Sequence, residues 1–183
     1  MAIEPDDTPA RGLGEFCAQA IAGGVDIVRL DGATPETAAE TAEVCRREDA
    51  LFIVGEDASL AASVEADGVH FGSSDASMGL ARAVLGIDAI VGLGVSTLDE
   101  ARLALEVGGD YLVHGGGTAC PGVFASLGGT GSPLFAGGIT GIDDAARIVA
   151  GGVYRLCIGA SLVSEEDVTE DAAAYARLLG RCI

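Results

Sequence analysis

The stretch LFAGGITGIDDAARIVAGGVYRLCIGASL, residues 134–162, decides the fold of this chain. Its first three residues form a short apolar run, of the kind that fits a parallel strand buried on both faces. A pair of glycines ends that run, a helical pattern follows, and a second glycine pair ends the helix. Another apolar run, residues 153–158, then leads into a further glycine turn. The order of strand, turn, helix and strand predicts a parallel α/β protein.

The glycine turns after the two strands predict a phosphate site. Glycine has no Cβ, so its backbone can approach a ligand closely with the N–H groups exposed. The second turn also precedes a short helical stretch, and a helix N-terminus attracts anions. In a (β/α)₈ barrel the loops after strands 7 and 8 are the usual phosphate site. We therefore expect Gly137, Gly138, Gly159 and Ala160 to bind phosphate, with plain tight turns as the alternative.

The rest of the chain repeats the same strand and helix unit. Apolar runs typical of strands begin at residues 25, 51, 68, 89, 111, 134 and 153. An eighth strand would have to precede residue 12, where only residues 2–4 are available before Pro5. The connection 115–133 is glycine-rich and offers at most a helix over 121–127. We predict that residues 1–183 form one domain, a (β/α)₈ TIM barrel with a short or missing first strand and a reduced sixth helix.

Composition and charge narrow the choice of partner. The 183 residues are 49% hydrophobic, which is enough for one buried core. No run approaches the ~20 apolar residues that span a bilayer, and residues 1–12 lack the apolar core of a signal peptide, so we expect a cytoplasmic protein. The formal net charge of −18 argues against nucleic acid and membrane surfaces, since both would repel the chain. We expect a small phosphorylated partner, and the sequence leaves a homo-oligomer open.

The absence of lysine excludes three classes of enzyme. All ten basic residues are arginine. Schiff-base aldolases need a lysine amine to condense with their substrate, and pyridoxal enzymes need one to hold the cofactor. The P-loop motif of nucleotide hydrolases also contains an obligatory lysine.

Seven segments of the chain carry a family resemblance: GGVDIVRL at 23–30, LFIV at 51–54, ADGVHFG at 66–72, VGLGVSTLDEA at 91–101, GDYLVHGG at 109–116, FAGGIT at 135–140 and AGGVYRLCIGASL at 150–162. The combination of ADGVHFG, DYLVHGG and AGGIT, in that order and spacing, is the most specific part. Together the segments resemble the thiamine phosphate synthase and TenI-type thiazole tautomerase family. The resemblance implies a (β/α)₈ barrel of thiamine biosynthesis. The family's synthases join a pyrimidine methyl diphosphate to a thiazole phosphate, releasing pyrophosphate with the help of Mg²⁺, whereas the tautomerases isomerise a thiazole carboxylate phosphate.

The resemblance also implies a metal site and a diphosphate clamp. After the third strand the family's metal-binding Asn-Asp is here Gly55-Glu56, and Glu56 can still bind Mg²⁺ through oxygen. The second metal aspartate is matched by Asp75, and plain acidic surface is the alternative for both carboxylates. The family's Gln-x-Arg-x-Lys, which holds the pyrimidine and diphosphate, reads RLDGA at 29–33. Arg29 is the cation that remains there, and it is the residue expected to contact the diphosphate.

His114 is the candidate for a different chemistry. It lies at the carboxyl end of a strand, where the catalytic groups of barrels sit, and two residues before the position of the tautomerase histidine. Residues i and i+2 of a strand share a face, so His114 is a candidate general base, with a structural histidine as the alternative.

Three functions follow from these patterns. Thiamine phosphate synthase activity is implied by the resemblance, but we expect it to be weak, because the clamp arginine is replaced by Asp31 and the lysine-bearing loop by GGGTACPG. The alternatives are a non-catalytic protein that binds a phosphorylated ligand or acts as a scaffold, and a TenI-like thiazole tautomerase.

Overall fold

One parallel sheet organises the chain, and all of its strands follow one another in sequence order. The computed structural model describes residues 2–3, 12–72, 77–127, 133–163 and 167–180. Each strand pairs in parallel with the next one along the chain. The strands are β1 Ala2–Ile3, β2 Ile27–Leu30, β3 Leu51–Gly55, β4 Gly68–Phe71, β5 Ile90–Val95, β6 Tyr111–His114 and β7 Leu134–Ala136.

Helices follow the strands in sequence. Four of the described helices follow a residue whose side chain accepts the hydrogen bond of an otherwise unpaired backbone N–H: Thr34 from Thr37, Asp57 from Leu60, Thr97 from Glu100 and Asp167 from Glu170. The helices are α1 Leu13–Ala22, α2 Pro35–Arg47, α3 Ala58–Ser63, α4 Ser77–Leu85, α5 Leu98–Glu106, α6 Cys120–Ser126, α7 Ile142–Ala150, α8 Ala160–Val163 and α9 Val168–Leu178, with a 3₁₀ turn at Gly117–Ala119. In the described part of the chain, none of them is long and apolar enough to cross a membrane.

The two faces of the sheet differ in their side chains. The helix-facing side is apolar, and seven of its residues are each at most 3% exposed: Val28, Leu30, Val54, Val69, Leu93, Leu112 and Leu134. On the inner side the strand register aligns Gly55, His70, Gly92 and Tyr111 across β3 to β6. Gly92 is needed in this row, because a Cβ at that position would overlap the ring of Tyr111.

The strand predicted to begin at residue 153 is represented in the structure by a single bridge. Leu156 forms an isolated parallel bridge with Ala136, whose N–H donates to the carbonyl of Arg155 and whose carbonyl accepts from Cys157. At the other edge β1 has two residues and pairs only with Arg29 and Leu30. The structure therefore confirms the α/β class and the parallel, curled sheet. A closed barrel of eight strands is not shown among the described residues.

Candidate active site

Glycines line the carboxyl edge of the sheet on its inner side. Each of the strands β3 to β7 places one at or beside its end: Gly55, Gly72, Gly94, Gly115 and Gly137. A Cβ at Gly94 would lie 2.7 Å from the carbonyl oxygen of Gly72, whereas one at Gly115 would meet nothing within 4 Å. Backbone atoms rather than side chains therefore form this part of the edge, which leaves room for a ligand to approach.

Arg29 and Asp31 form an ion pair at the same edge. They lie two residues apart, on the same face of the chain, and the Arg29 guanidinium donates to Asp31 Oδ2 at 2.6 Å. Their side chains are 15% and 25% exposed, and Gly55 makes room for the carboxylate because it has no Cβ. Burial opposes the charge of Arg29, but Cys157, Asp31 and Tyr111 raise its pKa overall, so the guanidinium stays charged. Asp31 thus neutralises the cation expected to contact a diphosphate.

The Arg29 side chain keeps one unused donor. Its Nε atom is buried and has no hydrogen-bond partner among the described residues. A buried N–H without a partner is costly, and a ligand oxygen or a water molecule at this position would satisfy it.

His70 and Tyr111 lie close to Arg29 on the inner side of the sheet. His70 Nδ1 is 3.2 Å from the Tyr111 hydroxyl, and the two rings stack with centroids 5.6 Å apart. Burial and the positive charge of Arg29 lower the pKa of His70 to about 3, and burial raises that of Tyr111. Both side chains are therefore neutral near pH 7. The sequence analysis did not identify Tyr111, whose position depends on its neighbour Gly92 in the register.

Glu56 stands at the edge of the sheet where the metal site is expected. It follows β3 in the left-handed conformation with φ 61°, and its N–H donates to the carbonyl of His70 at 2.8 Å. Its carboxylate accepts from the N–H of Gly72 at 2.8 Å. Asp75, the other expected metal ligand, lies outside the described residues. Within the described ranges, no group of three or more His, Cys, Asp or Glu side chains is arranged to hold a metal ion.

His114 faces away from the inner side of the sheet. The register pairs it with Val95 and Ala136, so it shares the helix-facing side with Leu112 and is 3% exposed. Its Nδ1 accepts from the N–H of Gly116 at 3.0 Å, and a Cβ at Gly116 would overlap the ring. This placement favours the structural alternative and gives no support to a general base at the inner edge.

The two glycine turns expected to bind phosphate lie side by side. The bridge between Ala136 and Leu156 sets a parallel register that brings Gly138 next to the segment ending at Gly159. Gly138 is exposed with φ 67°, and a Cβ there would lie 2.5 Å from the carbonyl oxygen of Gly115. The N–H of Gly137 already donates to the carbonyl of His114 at 2.9 Å, so this amide is engaged.

The second turn opens a helix of one turn only. The carbonyl of Gly159 accepts from Leu162 N at 2.9 Å, and α8 begins at Ala160 and has four residues. Such a helix offers a weaker dipole than the sequence pattern suggested. Phosphate binding at these two turns stays a prediction.

Asp144 holds the loop that follows Gly138. This carboxylate is 8% exposed, accepts from Thr140 N at 3.2 Å and lies 3.3 Å from the Arg147 guanidinium. The hydrogen bond from the Thr140 backbone, followed by the contact with Arg147, lowers the pKa of Asp144. No local pattern in the sequence indicates this contact between Asp144 and the loop.

Comparisons with known proteins agree on one family. A family model described as thiamine monophosphate synthase matches residues 1–121. A thiamine-phosphate synthase of Methylobacillus flagellatus is 32% identical over 97% of this chain and 93% of its own length, and one of Chromobacterium violaceum is 31% identical over 98% and 95%. The solved thiamine phosphate pyrophosphorylase from Pyrococcus furiosus has the same fold, with a TM-score of 0.85 at 23% identity over 98% of this chain and 94% of that one.

Proposed function

Since the chain belongs to the thiamine monophosphate synthase family, we propose that it binds a phosphorylated thiazole or pyrimidine intermediate of thiamine biosynthesis. The ligand lies at the carboxyl edge of the sheet, over the glycines that end β3 to β7. Its phosphate binds between the turn at Gly138 and the turn at Gly159. In this proposal the segment 153–158 and β1 complete the sheet as a barrel, which brings the second turn to the same edge.

The ion pair between Arg29 and Asp31 carries the proposal on catalysis. Pyrophosphate leaves with several negative charges, and cations that are already in place must stabilise them. Here the 2.6 Å pair supplies a guanidinium whose charge Asp31 offsets. The two cations of the family's clamp are absent from the sequence, because one position holds Asp31 and the chain contains no lysine. We therefore propose that thiamine phosphate formation is slow in this protein, although the intermediates bind.

Mg²⁺ is the cofactor that fits the remaining carboxylates. Glu56 offers an oxygen at the right edge of the sheet, and hard oxygen ligands suit Mg²⁺. Asp75 is the proposed second ligand. A bound Mg²⁺ would offset part of the charge of a diphosphate. One or two carboxylates leave most of its octahedral shell to water and phosphate oxygens, so we propose weak binding without a ligand.

A non-catalytic binding protein is the second candidate function. The neutralised Arg29 favours it, because a site that has lost its clamp can still bind a phosphate at the glycine turns. The tautomerase alternative has less support, because His114 lies on the helix-facing side and contacts Gly116.

Calorimetric titration tests the proposed ligand directly. Thiazole phosphate and the pyrimidine methyl diphosphate are titrated separately into the full chain, with the two unphosphorylated alcohols as controls. We expect saturable binding of the thiazole phosphate and none of its alcohol. Equal binding of phosphate and alcohol would place the recognition on the ring and contradict a phosphate site at the turns.

A further inference from the structure

A cavity lies on the inner side of the sheet and opens towards the end where the strands begin. Its volume is about 510 Å³, and its wall includes the first residues of four strands: Ile27, Leu51, Ile90 and Tyr111. The far wall is the inward face of α9, with Ala172, Tyr175 and Ala176. The two-residue length of β1 helps to explain this space, because β1 pairs only with Arg29 and Leu30, further along β2.

The chemistry of the cavity is apolar with one unpaired cation. Eight arginines lie in the described part of the chain, and seven of them are within 4.0 Å of a carboxylate. The eighth, Arg155, is exposed, lines the cavity, and forms no ion pair with the described residues. In a chain of net charge −18 an arginine without a carboxylate partner is the exception.

The acidic residues of the cavity wall are not available to a ligand, because each already has an interaction partner. Asp110 lines the wall, but its Oδ2 accepts from Arg82 at 2.8 Å and from the N–H of Val91 at 2.7 Å. Asp26 also lines the wall and has an interaction partner of its own. Arg155 therefore remains as the charged group available to a ligand, and Tyr154 beside it is 64% exposed at the opening.

We propose that this cavity binds a small anionic amphiphile, with the apolar body between the strand starts and α9 and the carboxylate or phosphate head on Arg155. The volume is in the range of pockets for small organic ligands, and such pockets combine apolar walls with a few polar groups that fix orientation. A guanidinium binds both types of head through two parallel hydrogen bonds. We propose it as a site distinct from the phosphate turns, and its wall reaches Ile158 and Leu162 on either side of the turn at Gly159.

Titration calorimetry with decanoate, decyl phosphate and decanol tests the proposal on the full chain. We expect one decanoate or decyl phosphate per chain and an affinity about tenfold weaker for decanol, which lacks the charge. Whichever of decanoate and decyl phosphate binds more tightly identifies the preferred head group. No saturable decanoate binding, or many molecules per chain, would overturn the proposal. The proposal would also be overturned if the ligand-free protein were a dimer that could not bind decanoate, because a second copy of the chain would then occupy the cavity.

Variants separate the charge from the cavity. Arg155→Gln should weaken both anions about tenfold and leave decanol unchanged, while Arg155→Lys should restore part of the loss. Arg102→Gln is the matched control, since Arg102 is an exposed arginine away from the cavity and should change nothing. Ala176→Phe should weaken all three ligands by filling the space. Unchanged decanoate binding in Arg155→Gln would overturn the assignment of the head group. If Gly138→Asp still binds decanoate, the cavity is distinct from the phosphate turns. If Gly138→Asp loses decanoate binding, the proposal of a distinct site is wrong.

Discussion

Arg29 and Asp31 form an ion pair of 2.6 Å on the inner side of the sheet, two residues apart along the chain. The family resemblance places Asp31 where a clamp arginine is expected, and in the proposed function its carboxylate repels a diphosphate there. At an effective dielectric constant of about 20, two unit charges that are 4 Å apart interact with an energy of about 4 kcal/mol. A diphosphate that reaches Arg29 must therefore compete with a carboxylate that is already bound.

Removal of the Asp31 charge should make Arg29 available. We expect Asp31→Asn to bind inorganic pyrophosphate about tenfold more tightly than the parent, because one repulsive charge is lost and the guanidinium is freed. Titration calorimetry with pyrophosphate alone measures this. Asp99→Asn is the matched control, since Asp99 lies 3.5 Å from Arg102 with its side chain 94% exposed. Equal tightening in both variants would show a general effect of net charge.

Gly138→Asp should abolish phosphate binding at the paired turns. The left-handed φ of 67° disfavours any Cβ, the new atom would meet the carbonyl of Gly115, and a carboxylate would repel the anion. Phosphate and thiazole phosphate titrations measure the loss. Gly152→Asp serves as control, because Gly152 has a similar φ of 93° with open space around it. Binding by Gly138→Asp equal to that of the parent would place the phosphate elsewhere.

Glu56 and Asp75 should bind Mg²⁺ weakly, and a diphosphate should strengthen that binding. Two carboxylates leave most of the octahedral shell to water, which phosphate oxygens can replace. Calorimetry with Mg²⁺, with and without pyrophosphate, checks both statements. Glu56→Gln should remove the binding, while Glu15→Gln, on the exposed start of α1, should not. A crystal structure with these two carboxylates at opposite ends of the sheet would contradict a shared metal site.

His70 should make the protein less stable in mild acid. Its pKa is about 3 in the folded chain and 6.5 without the fold, because burial and Arg29 disfavour the charged ring. The unfolded state therefore binds more protons between these values, so this stability is present above pH 6.5 and is lost as the pH falls towards 3. The full effect is on the order of 5 kcal/mol.

Urea unfolding at several pH values between 5 and 7 measures the contribution of His70. His70→Gln should reduce the slope of the free energy of unfolding against pH, since most carboxylates titrate below this range. Tyr111→Phe removes the hydroxyl beside His70 and keeps the histidine, so the slope should remain. An identical slope in the parent and His70→Gln would contradict a buried neutral histidine.

Local patterns predicted much of the fold, because they depend on neighbours in sequence. The glycine pairs and the apolar runs located most of the strands and helices, and the short run at residues 2–4 contains the two-residue β1. The register between neighbouring strands could not be predicted from the sequence. His114 was a candidate general base with a structural histidine as the alternative, and only the register, which places it beside Val95 and Ala136 on the helix side, favours the structural role.

The arrangement of side chains at the candidate active site and in the apolar cavity depends on contacts that cannot be predicted from spacing in the sequence. Residues 29 and 31 were expected on one strand, but their ion pair depends on the rotamers of both side chains and on the absence of a Cβ at Gly55. The apolar cavity depends on α9 lying across the strand starts, which places Tyr175 and Tyr111 in the wall of one cavity although they are far apart in sequence. No local pattern indicates such a contact.

The formation of thiamine phosphate by the unmodified protein is the most direct test of the central claim. Two missing cationic contacts, each worth ~3 kcal/mol in the transition state, cost on the order of 10⁴-fold in rate. From a typical enzyme rate of ~10 per second, we expect turnover well below about one per minute with both substrates and Mg²⁺. The same preparation must bind thiazole phosphate, which excludes an inactive sample. Turnover near ~10 per second would contradict the claim and show that Arg29 or the backbone at 115–122 stabilises the leaving pyrophosphate.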